Sequence, residues 1–125
     1  MSYSLAFADS EVRHAAMDAG ALRVAFSAAA VRRHEDDDHG WLQGLALVLD
    51  EARVAGDPAA AFGRLAEGHV RLDGRDIGRP VLPQTITGDV ELALRFANGA
   101  TLAARGTRLH LRLADDARFT EDLSC

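Results

Sequence analysis

The densest set of groups able to do chemistry is the run His34-Glu35-Asp36-Asp37-Asp38-His39, with two imidazoles and four carboxylates in six residues. Hard and borderline divalent cations take such ligands, so His34 and His39 are the weak metal candidates of the chain. The known spacings do not fit. An EF-hand loop counted from Asp36 would need its bidentate glutamate at position 47, which is Leu47. The helical zinc motif HExxH would need a second histidine at position 38, which is Asp38. No metal site is assigned, and the run reads as a solvated acidic loop flanked by Arg32 and Arg33.

The other candidates for chemistry are dispersed. His69 and His110 fall in separate strands, with Glu67 and Asp76 as carboxylates that could approach them, and no His-x-His pair exists to build a cupin-type metal centre. His14 falls on an apolar face and is the ligand candidate: a core histidine or a group lining an interior cavity. No Gly-x-Ser-x-Gly elbow, phosphate loop or dinucleotide fingerprint is present. All 14 basic residues are arginine, so lysine Schiff-base, P-loop lysine and Ser-Lys chemistries are excluded. Cys125, the only cysteine, is the last residue, and no intramolecular disulfide can form. Catalytic residues are therefore not assigned, no cofactor is expected, and the balance leans against an enzyme.

Trp41, the only tryptophan, follows Gly40 at a junction of loop and strand. A large amphipathic ring there suits stacking or an interface anchor, so Trp41, with Arg32 and Arg33 nearby, forms the set of interaction candidates. The formal net charge of −5 and the lack of a basic run argue against nucleic acid. Apolar stretches such as 45–49 are far short of the ~20 residues that span a bilayer. No membrane partner is expected, and with no secretory signal visible in the first ten residues the expected location is cytoplasmic. The arginine-for-lysine bias and the many alanines suggest a GC-rich bacterial genome.

These side chains have to be positioned by strands. Alanine favours helix, but apolar residues here recur at every second position, and periodicity is the stronger signal. Val90, Leu92, Leu94 and Phe96 alternate with Glu91, Ala93, Arg95 and Ala97 before Asn98-Gly99. A three-residue loop 97–99 with Gly99 left-handed pairs Phe96 with Ala100, Leu94 with Leu102 and Leu92 with Ala104, leaving one face wholly apolar. The other face then pairs Glu91 with Arg105, worth ~0.2–1 kcal/mol. The same device at Asp18-Ala19-Gly20 would join a strand from Glu11 to Met17 to the strand 21–29, with Val12, His14 and Ala16 facing Phe26, Val24 and Leu22. Its rival is a short helix capped by Asp9 or Ser10.

Further strands are read at Tyr3, Leu5 and Phe7, across 42–54, across 64–72 before Asp73-Gly74, and at Leu109, Leu111 and Leu113, with a bulge or corner at Gly106. Residues 32–40 and 74–84 read as irregular, and Pro58 to Phe62 allows one short helical turn. The expected fold is a single all-β domain over 1–125, an antiparallel sandwich or partly open barrel of about seven strands. The functional expectation is a small non-catalytic β domain of protein-interaction, adaptor or immunity type. Its alternatives are a β-barrel binding a small ligand and then a small enzyme using dispersed His, Asp and Glu. Edge strands left by incomplete closure could also pair with a second copy to give a homodimer.

Overall fold

Alternating apolar residues build nine strands in a computed structural model that describes residues 1–122. They are β1 (Tyr3–Asp18), β2 (Ala21–Arg33), β3 (His39–Asp50), β4 (Arg53–Ala55), β5 (Gly63–Leu72), β6 (Arg75–Asp76), β7 (Val81–Leu82), β8 (Gln84–Phe96) and β9 (Thr101–Glu121). A single 3-10 turn, Pro58–Ala60, is capped by the Asp57 side chain, which accepts from the Ala59 amide. All ladders are antiparallel and belong to one sheet of order β6-β5-β8-β9-β3-β2-β1-β7, with β4 also on β9. The sheet rolls until β5 reaches β1, where only Glu11↔Arg64 and Val12↔Gly63 pair. It is an all-β fold that stops short of a closed barrel.

Rolling turns one face of every long strand inward. Leu5, Leu22, Leu42, Leu45, Leu47, Leu49, Leu65, Leu82, Leu92, Leu102, Leu109 and Phe96 are fully buried and fill the interior. Burying each such side chain stabilises the fold by roughly 1.5–3 kcal/mol.

The second hairpin has the expected register: Leu94 lies opposite Leu102, Leu92 opposite Ala104 and Glu91 opposite Arg105. The Phe96 amide donates to the Ala100 carbonyl at 2.8 Å, and Gly99 takes φ 92°. At Gly106 the expected corner is present. There β9 leaves β4, which pairs with 103–105, and joins β3, whose Asp50 lies opposite Arg108. β8 answers with a register shift between Thr87 and Val90.

The first hairpin forms, but its register corrects the sequence reading. Ala19 accepts φ 49° beside Gly20 at 81°, so the loop is two residues long and Asp18 pairs with Ala21. Two successive left-handed residues give the turn whose twist matches the strands, and this advantage outweighs the strain on Ala19. His14 therefore lies opposite Ala25 on the outer face and is exposed, not on the apolar face opposite Val24. A bulge at Arg13 restores Val12 to Phe26, so the core pairing there holds.

Strand segments expected as separate, around Leu5 and after Glu11, are one strand carrying a wide bulge. Ala6 pairs with Ala30 and Glu11 with Ala28, so 7–10 bulge opposite Ala29 alone. The expected strand 42–54 breaks at Glu51, φ 51°, into β3 and β4. Nor is the segment 32–40 wholly irregular: β2 runs to Arg33 and β3 starts at His39. β9 continues past Leu113 to Glu121 through a second wide bulge, Leu45↔Leu113 giving way to Gln43↔Arg118. Cys125 lies outside the described residues.

Candidate functional site

Two places collect the sequence-selected residues, on opposite faces of the sheet around β1 and β2. At the inner face of one barrel end, Tyr3 pairs with Arg33, which points its guanidinium over the Phe119 ring at 4.2 Å. Tyr3 and Phe119 stack with centroids 5.8 Å apart. The guanidinium gives Asp36 two hydrogen bonds, 3.0 Å from Nε and 2.5 Å from Nη2, and stands 3.7 Å from Asp38. The acidic run is therefore folded back over the core's end by one arginine held on an aromatic plane. Arg32, one residue earlier, faces outward and pairs with Asp37.

The same end shows opposed titration behaviour. Hydrogen bonding from Arg33 lowers Asp36 from its ordinary 3.8 to about 2. Glu121 is raised, first by the charge of Asp38 and then by a hydrogen bond with it. A depressed carboxylate contributes stability that is present above its ordinary value and is lost as pH falls towards its folded one. A raised carboxyl has the reverse sign: its ionisation costs stability as pH climbs above 4.5. Glu121→Gln is accordingly expected to raise Tm slightly at pH 7 and to lose that gain below pH 4. Asp36→Asn should lower Tm at pH 7 and converge on the parent near pH 2. Thermal melts across pH check both, and parallel curves for the two variants would refute the assignment.

His34 does not offer a free ring. Its Nδ1 is 2.7 Å from Ser2 Oγ and its Nε2 2.7 Å from Ser4 Oγ, so both ring nitrogens are engaged by serine hydroxyls. His39 lies outward, in a row with Ser4 and Arg32, and is exposed. The two histidines thus do not converge, and among the described residues no three His, Cys, Asp or Glu side chains group closely enough to hold a metal.

The outer face carries Trp41. Cross-strand pairing sets it beside Ala30, and Ala30 beside Ala6, so the indole stands at the edge of a floor of methyl groups. Trp41 is 36% exposed. An open groove of about 360 Å³ runs along it, bounded also by Ala8, Asp9, His39 and Arg79. Short side chains on the neighbouring strands expose the tryptophan, since a leucine at position 6 or 30 would cover the floor. Arg32 shares this outer face one row away, whereas Arg33 belongs to the inner end.

One arrangement escaped the sequence reading. His110 Nε2 is 2.9 Å from Asp50 Oδ2, and its Nδ1 is 3.4 Å from Thr85 Oγ1. These residues sit in adjacent rows of β3, β9 and β8, where Asp50 pairs with Arg108 and His110 with Thr85. The hydroxyl–imidazole–carboxylate order resembles that of a hydrolase, and its two contacts link neighbouring strands of the sheet. The trio acts as a clamp across three strands. Glu67, meanwhile, bonds Arg95 at 3.1 Å, leaving His69 opposite Ala93.

The described residues contain no helix long and apolar enough to cross a membrane. Comparison with protein-family models, curated proteins and solved structures gives no match to this chain, so the fold and the placement of its side chains carry the functional reading.

Proposed function

We propose that the chain is a non-catalytic protein-interaction module that binds its partner through the outer face of β1–β2–β3, with Trp41 as anchor. The supporting observation is the half-exposed indole beside the alanine floor of Ala6 and Ala30, in a groove rimmed by Asp9 and Arg79. This combines a large, stiff apolar group with a shallow receptor and a polar rim, the anatomy of an interface hot spot. The fitting partner inserts an apolar side chain over Ala30 and satisfies the rim. An interior ligand site is the weaker reading, because leucines and Phe96 fill the inside and His14 faces out.

Native mass spectrometry of the tagged chain recovered from its host tests this. The expected result is a stoichiometric protein complex weakened at least tenfold by Trp41→Ala, about 1.4 kcal/mol, with an unchanged melting curve. A retained small molecule with no protein partner, or a complex indifferent to Trp41→Ala, would overturn the proposal.

A further inference from the structure

We propose that the partner presents an extended acidic segment to the Trp41 face. One apolar side chain lies over Ala30, and carboxylates about two and four residues along meet Arg118 and the pair Arg23 and Arg112. This partner class rests on the Trp41 interface and adds the chemistry of what fills it. A second depression, of about 440 Å³, lies along the same face. Residues 39–41 of β3 line the Trp41 groove, and residues 43–46 of the same strand line the depression. Ala25 and Ala46 pair directly across β2 and β3 and give the depression a floor of methyl groups. The two centres are therefore roughly 15 Å apart along one strand, a span that about four or five extended residues cover.

Charge selects the class of partner. Arg13 and Arg23 border the second depression, and Arg79 borders the Trp41 groove. From β9, Arg112 stands opposite Ala46 and Arg118 opposite Gln43. Of the 14 arginines, Arg32, Arg33, Arg64, Arg71, Arg95 and Arg105 each hold a carboxylate. Arg13, Arg23, Arg79, Arg112 and Arg118 make no ion pair or side-chain hydrogen bond among the described residues. Most of the acids bordering this surface are already engaged. Asp9 is held by Arg64 at 3.7 Å, Glu11 accepts from the Ser27 hydroxyl at 2.7 Å, and Asp122 has a partner too. Asp116 is the carboxylate that lines the second depression.

Unpaired guanidiniums around an apolar floor fit a carboxylate on a partly apolar chain, because the fork of an arginine binds a carboxylate through two hydrogen bonds. A nucleic-acid strand fits less well. It carries a charge at every nucleotide and would meet Asp9, Glu11 and Asp116 as well as the arginines. The pairs are exposed, so the preference for acid should weaken as salt is added.

Anisotropy titrations with fluorescein-labelled peptides test the proposal. The probes are Ser-Leu-Ser-Glu-Ser-Glu-Ser, its reversed sequence, and the same two with every glutamate replaced by glutamine or by lysine. One glutamate peptide should bind, its glutamine version roughly tenfold more weakly. Trp41→Ala should abolish the binding. Arg23→Glu with Arg112→Glu should transfer the preference to the lysine peptide, and the milder Arg118→Gln should weaken the glutamate peptide about threefold. Circular dichroism melts should show both variants folded, since these side chains are exposed. Equal binding of glutamate and glutamine peptides, lost in Trp41→Ala, would keep the anchor and overturn the acidic class. Glutamate binding indifferent to Trp41→Ala would overturn the anchor and the single segment with it. Tighter binding of a short oligothymidylate than of any peptide, or no peptide binding at millimolar concentration, would also overturn the acidic segment.

Discussion

Gly106→Ala is expected to destabilise the protein by about 3 kcal/mol, a fall in Tm on the order of 10 °C for a chain of this size. At this position β9 changes partner from β4 to β3, and the backbone passes so close to the end of β3 that a methyl carbon would stand 2.4 Å from the Asp50 carbonyl oxygen. Leu49, fully buried, would be met at 2.7 Å. Neither neighbour can yield. The carbonyl belongs to the strand, and the leucine belongs to the packed interior, where added volume is accommodated only by backbone movement. Gly78 is the control: nothing lies within 4 Å of its added methyl, so Gly78→Ala should change stability by less than about 0.5 kcal/mol. Urea titrations of the two variants check the contrast. Equal midpoints would mean that the corner is not closely packed.

This corner is legible without the structure, because the apolar set changes phase between Ala104 and Leu109 with a glycine between. Alternation and turn chemistry made the all-β class legible, together with the second hairpin, in which both the apolar face and the Glu91–Arg105 pair selected one register. The first hairpin was legible as a hairpin but not in register. The three-residue loop expected there needs only Gly20 left-handed, whereas in the observed two-residue loop both Ala19 and Gly20 are, and the one-residue slip moved His14 from the inner face to the outer. β6 and β7 were missed and β4 was merged with β3, since two or three residues hold no period.

Of the candidate site, Trp41 and its proximity to Arg32 were legible as a local feature. The alanine floor was not, because Ala6 reaches Trp41 only through two cross-strand pairings. Arg33 illustrates the same difficulty. Adjacent to Arg32 in sequence, it occupies the opposite face, and the ring that receives it, Phe119, lies in a part of β9 that carries no regular alternation. The His110–Asp50 contact spans 60 residues. No local pattern encodes it, and only the β3–β9 register brings the two together.

The wide bulge in β1 gives the second large effect, because one buried side chain completes the ladder it interrupts. Ser10 is wholly buried, its hydroxyl donating to the Ala6 carbonyl at 2.7 Å and accepting from the Ala30 amide at 2.8 Å. With four residues of β1 opposite Ala29 alone, Ala30 would otherwise lose its partner across the strand gap. The serine oxygen replaces the missing carbonyl. Ser10→Ala removes both bonds and creates no room for water, so a buried donor and an acceptor lose this partner together, at a cost of about 2–3 kcal/mol. Hydrogen exchange separates this cause from simple loss of packing. The Ala30 amide should become labile in Ser10→Ala well before the amides of Val24 and Leu47, which lie on the regular part of the same sheet. If Ala30 stays as protected as they do, the hydroxyl is not what holds the bulge. The Ala6–Ala30–Trp41 floor would then have to be positioned by core packing under Leu5 and Val31 instead.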